Sequence, residues 1–124
     1  MLIRVLDVAG SRLFRIPRLL CKKYQINPNS FFTLKLVELD GRTKFVLIEV
    51  PEQANVKKLR ITRIAGSFFF RIPKQICDLC HVQEGDPFFV EVKKHKNSIC
   101  IIFIEVPYSL YYLHRSAISR KFRR

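Results

Sequence analysis

Ala65-Gly66-Ser67-Phe68-Phe69-Phe70-Arg71-Ile72-Pro73 has a near copy in the same chain, Ala9-Gly10-Ser11-Arg12-Leu13-Phe14-Arg15-Ile16-Pro17, at an offset of 56 residues. The alignment contains no gap. The same offset sets Arg4 on Arg60, Cys21 on Cys77 and Phe32 on Phe88, and it sets Ile48-Glu49-Val50-Pro51 on Ile104-Glu105-Val106-Pro107. A gapless match over most of a chain marks an internal duplication. Residues 1–51 are read as repeat one, 52–57 as a short polar linker, 58–107 as repeat two, and 108–124 as a segment outside the repeat.

A unit of roughly 50 residues buries too little surface to be comfortable alone. One half is therefore expected to complete the other, so that the two repeats share a single globular domain. The hydrophobic content of 48% is sufficient for such an interior.

Within each repeat the local patterns are mainly those of strands. A first strand is expected over Ile3–Val8 and again over Leu59–Ile64, where Leu59 and Ile61 alternate with Arg60 and Thr62. Ala-Gly-Ser makes a turn, with glycine free to take a positive φ. Arg12–Ile16 and Phe68–Ile72 follow as short strands rich in aromatic and β-branched residues. Pro17 and Pro73 suit the first position of short helices, in which Ile16, Leu20 and Tyr24, or Ile72, Ile76 and Cys80, share a stripe.

Beyond the turns at 27–30 and 83–86 comes a hairpin in each repeat. Phe32, Leu34 and Leu36 alternate with Thr33 and Lys35, and Phe88, Val90 and Val92 alternate with Phe89 and Glu91. Asp40-Gly41 is a strong two-residue hairpin signal, and Lys96-Asn97 is a weaker copy. The closing strands, Phe45–Val50 and Ile99–Val106, are apolar almost throughout, which predicts cover on both faces. After Pro107, Leu110, Tyr111, Leu113, Ala117 and Ile118 fall at helical spacing. They predict a C-terminal amphipathic helix over about 109–119, followed by a basic end.

Twenty-three Lys and Arg against ten Asp and Glu give a net charge of +13. A balance this basic fits a polyanionic partner, nucleic acid before a membrane surface, over a merely solvated surface. Repeat one carries nine basic and four acidic residues, repeat two with the linker nine and six, and the final segment five and none. No stretch reaches the roughly 18 apolar residues of a membrane span. Met1-Leu2-Ile3-Arg4 lacks the charged-then-apolar order of a signal peptide. A cytoplasmic, nucleoid-associated protein is the expectation.

Cys77 and Cys80 form one C-x-x-C without a second pair to complete a zinc site. Buried packing residues are favoured over metal or redox chemistry, since Cys21 and Cys77 are repeat equivalents. His81, His95 and His114 share no motif with the cysteines or carboxylates, and no Gly-rich phosphate loop or paired-carboxylate signal is present. A protein without catalysis, cofactor or metal is expected.

The order strand, Gly-Ser turn, strand, Arg-Ile-Pro, helix, turn, hairpin resembles the AbrB/MazE swapped-hairpin family of DNA-binding domains. Repeat two is the closer match, with Gly66-Ser67, Arg71-Ile72-Pro73-Lys74 and Glu84-Gly85-Asp86 before an alternating strand. Repeat one reads Pro28-Asn29-Ser30 at that last position. The resemblance covers about residues 2–50 and 58–106. It implies a mainly β fold with short helices, in which two units interlock their hairpins into one β-barrel. With both units on one chain, that barrel would be an intramolecular pseudo-dimer. The bacterial MraZ proteins are similarly tandem, but their Asp-x-x-x-Arg motif is absent here.

By the same resemblance, double-stranded DNA is the partner and the grip is basic. Arg15 and Arg71 match the arginine of Arg-Ile-Pro, and Arg18 and Lys74 the basic residue after the proline; Arg12 lies in the same turn-strand segment. An arginine fork suits phosphates and the guanine edge, whereas Lys22 and Lys23 suit phosphate contacts that set position. For Arg15 and Arg71 an ion pair at the barrel rim is the structural alternative. The leading expectation is a transcriptional regulator. An antitoxin-like module that also binds its operator is disfavoured, because the terminal segment is basic where such tails are commonly acidic. A non-specific nucleic-acid-coating protein and a homodimer of pseudo-dimers stay open.

Overall fold

The computed structural model describes residues 1–107. The helix expected over 109–119 and the basic end lie outside the described residues. Repeat one supplies β1 (Leu2–Arg4), β2 (Leu6–Val8), β3 (Ser11–Ile16), α1 (Arg18–Tyr24), β4 (Phe31–Leu39) and β5 (Arg42–Val50). Repeat two supplies β6 (Leu59–Arg60), β7 (Thr62–Ile64), β8 (Ser67–Arg71), α2 (Lys74–Cys80), β9 (Pro87–His95) and β10 (Ser98–Glu105). The protein is mainly β, with two short helices and a curled antiparallel sheet that forms a half-barrel.

The strands form a six-stranded sheet in the order β1-β9-β10-β5-β4-β6 and a four-stranded sheet in the order β2-β3-β8-β7. Both orders read the same when the repeats are exchanged, and so does the register. Ile3 pairs with Phe88, and its equivalent Leu59 pairs with Phe32. Each repeat's opening strand thus lies on the other repeat's hairpin. At the centre of the small sheet Phe14 faces its own equivalent Phe70, and at the centre of the large one Val46 faces Ile102.

The expected continuous first strand is in fact two. Val5, 1% exposed, separates β1 in the large sheet from β2 in the small one, and Ile61, 4% exposed, does the same between β6 and β7. The hydrophobic alternation slips just past this point, with Leu6 beside Val5 and with Thr62 and Arg63 both polar after Ile61. At Val5 the backbone stays satisfied: its N–H donates to Asp86 O at 2.9 Å and its carbonyl accepts from Gly85 N at 2.8 Å.

Pro17 and Pro73 sit one position earlier than expected, capping the helices with extended ψ values of 139° and 138°. Their carbonyls accept the first intrahelical bonds, from Cys21 N at 3.1 Å and Cys77 N at 3.0 Å. The helices end at Gln25 and His81 in the left-handed region, and Ile26 N and Val82 N then donate back to Cys21 O and Cys77 O. The turn that differs in sequence keeps its backbone bond, since Ser30 N donates to Asn27 O as Asp86 N does to Gln83 O.

Phe14 sits at the centre of the core. Its ring stacks on Phe103 at 4.3 Å and meets Phe88 edge-on at 4.7 Å and Phe45 at 5.3 Å. Fully burying each such ring contributes roughly 1.5–3 kcal/mol. The closing strands differ from expectation on one face: Phe45, Leu47, Ile101 and Phe103 are buried, while Val46, Ile48, Ile102 and Ile104 on the other face are half-buried. No helix among the described residues is long and apolar enough to cross a membrane.

Candidate nucleic-acid interface

The Gly-Ser turns are two-residue hairpin loops joining β2 to β3 and β7 to β8. Ala9 and Gly10 have φ of 52° and 87°, and Ala65 and Gly66 have 50° and 83°. Positive φ at both loop residues matches the right-handed twist of the flanking strands. A Cβ at Gly10 or Gly66 would meet nothing within 4 Å, so the glycines serve backbone conformation rather than close approach.

Pairing across β3 and β8 orients the motif arginines. Phe14 and Phe70 turn inward, which sends Arg15 and Arg71 to the opposite face, where both are exposed. Arg15 lies across from Phe69 and Arg71 across from Leu13. The two arginines are therefore diagonal neighbours, roughly 7–8 Å apart at the backbone. Arg15 Nη2 donates to Ser67 Oγ at 3.2 Å, linking the Arg-Ile-Pro of repeat one to the Gly-Ser turn of repeat two. Arg15 and Arg71 have no ion-pair partner among the described residues.

The same cross-repeat arrangement makes two clefts. In one, of about 210 Å3, the turn residues Gly66 and Ser67 face Arg15, Arg18 and Lys22. In the other, of about 560 Å3, Gly10, Ser11 and Arg12 face Arg71 and Lys74. Each cleft combines the turn of one repeat with the Arg-Ile-Pro segment and helix of the other. Six of the seven expected contact residues are thus gathered in equivalent places. Lys23 lines neither cleft; its Nζ stands 5.4 Å from the ring centre of Tyr24.

Arg12 is not a free cation. Its Nη1 donates to Asp7 Oδ2, and Asp7 Oδ1 accepts from Gly10 N at 3.0 Å, so the carboxylate ties the turn to its following strand. Asp7 and Arg12 face each other across the hairpin. Repeat two has Arg63 and Phe68 at the equivalent, also paired, positions and so lacks this ion pair.

Lys57 and Arg60 also line the larger cleft. The sequence treats Lys57 as linker and Arg60 as the wet face of a strand. The basic run Lys57-Lys58-Leu59-Arg60 was the available signal. Arg60 lies over the Phe31 ring at 4.5 Å, which fixes its place beside β4.

Cys77 at the floor of that cleft is buried, and its Sγ donates to Ile72 O at 3.8 Å; Cys21 Sγ donates to Ile16 O at 3.7 Å. Burial pushes both thiols up from the ordinary range, with the Arg12 charge pulling the other way at Cys77. Asp86 is likewise raised by burial, against the lowering effect of its hydrogen bond from Gln83 N. In comparisons with protein-family models, curated proteins and solved structures, nothing matched the chain.

Proposed function

We propose that this protein binds duplex DNA without catalysing a reaction on it, as a transcriptional regulator of the AbrB-like type acting at the nucleoid. The observation that carries the reading is the pair of exchange-related clefts, each built from one repeat's Gly-Ser turn and the other's basic Arg-Ile-Pro segment. Supporting it are the net charge of +13 and two exposed arginines set symmetrically on one sheet face. The exchange of opening strands between the repeats supports a swapped-hairpin pseudo-dimer as the scaffold. On this reading Arg15 and Arg71 read base edges, while Arg18, Lys22 and Lys74 hold phosphates.

The test is binding of Arg15→Ala and Arg71→Ala proteins to a selected site and to random duplexes over a salt series. Each change should cost roughly 1–3 kcal/mol, and more on the selected site than on random DNA. Unchanged affinity and salt slope for both variants would remove this face from the interface. Equal loss on all sequences would favour a coat protein over a regulator.

A further inference from the structure

The two clefts are equivalent in origin but not in content. The larger one carries Lys57 and Arg60 in addition to Arg71 and Lys74, and it has Asp78 where the smaller one has Lys22. Its floor includes Ile72 and Val82, 3% and 6% exposed, with half-buried Leu59 beside them. Lys57, Arg71 and Lys74 have no ion-pair partner among the described residues. Arg12 lines this cleft too, but its guanidinium is engaged by Asp7 and its Nε is buried out of reach of the cleft.

DNA backbone alone accounts poorly for this set. A phosphate chain carries acceptors only, so Asp78 would repel it, whereas Lys22 at the same place in the smaller cleft would attract it. A carboxylate beside a group of cations suits a ligand with phosphate at one end and hydroxyl or amino donors at the other. The apolar floor suits a flat ring. A volume of about 560 Å3 lies within the range of small-molecule sites.

We propose that the larger cleft is a nucleotide-binding site. Lys57, Arg71 and Lys74 hold the phosphates, and Asp78 accepts from the sugar hydroxyls or the base amino group. The ring lies against Leu59, Ile72 and Val82. The site does not rest on the DNA reading. Arg71 and Lys74 belong to both, however, so a bound nucleotide and a bound duplex exclude each other at this half of the protein.

The experiment is calorimetric titration of the full chain, free of DNA, with ADP, GDP, CDP and UDP, and separately with inorganic pyrophosphate. At least one nucleotide should bind saturably at one per chain. Lys57→Glu, an exposed change outside the expected DNA contacts, should weaken it at least about tenfold, and Asp78→Asn should weaken it about tenfold without weakening pyrophosphate. Arg18→Ala with Lys22→Ala, in the smaller cleft, should leave it unchanged. Saturable binding of none of the four overturns the proposal, as does a stoichiometry of two or pyrophosphate binding as tightly as the best nucleotide. Duplex binding measured on the same samples keeps the readings separate: its loss alone leaves this site standing.

Discussion

Glu105 Oε1 accepts a hydrogen bond from the backbone N–H of Thr43 at 3.1 Å, joining the end of repeat two to the start of the closing strand of repeat one. Glu49 Oε1 does the equivalent for Ile99 N at 3.0 Å. The repeated Ile-Glu-Val-Pro is therefore a cross-repeat clasp. Removing either carboxylate leaves a part-buried N–H without its acceptor. Glu105→Ala should lower stability by about 1–3 kcal/mol, and Glu105→Gln, which keeps an acceptor, by less. Urea unfolding at fixed pH measures this, with the midpoint falling and the slope unchanged.

Residues 1–54 alone should not fold as a monomer. In that fragment β4 lacks β6, β1 lacks β9, and Phe14 loses Phe70, Phe88 and Phe103. The expected result is an unfolded chain or a dimer whose thermal transition moves with concentration. A cooperative, concentration-independent transition in a sedimenting monomer would contradict the argument.

The two lysines of α1 are expected to separate. Lys22 lines the smaller cleft and Lys23 does not. On the proposed interface Lys22→Ala should flatten the log–log salt slope of duplex binding by about 0.9, while Lys23→Ala leaves it nearly unchanged. Equal flattening by both would mean that the interface extends beyond the cleft.

Burial raises the Cys77 thiol, so the folded protein keeps this proton at pH values where the unfolded chain has lost it. That contribution to stability is complete below the ordinary thiol range, about 8.5, and is lost as pH rises through the raised folded value. Stability should therefore fall between about pH 8 and the folded pKa, and Cys77→Ala should flatten that fall. The Ala change itself should cost at most a few kcal/mol at neutral pH. Alkylation of Cys77 at neutral pH should be slow; rapid labelling would show a thiolate that the burial argument forbids.

The duplication and most strand positions were legible because they repeat at one offset and obey period two. Which strands pair was not, because pairing across repeats is a non-local choice that leaves no local pattern. The step at Val5 leaves a slip in the alternation at Leu6, and at Arg63 in repeat two, but a slip alone does not say that the strand changes sheet. At the candidate site, the motif singled out Arg15 and Arg71, which lie exposed on one sheet face. Lys57 and Arg60 join the cleft only through the placement of β6 against β4. The Asp7–Arg12 ion pair was within reach of the sequence, since the two flank a two-residue hairpin loop and must face each other.

The exchanged strands also change what dilution can do. When such strands come from separate subunits, each subunit's sheet is complete only while its partner is bound, and scarce protein falls apart. Here β1 and β9, and β6 and β4, are donors and acceptors on one covalent thread. Their meeting is unimolecular, governed by the reach of the connection at 51–58 and not by encounter. A single copy in a large volume is as fully assembled as a concentrated solution.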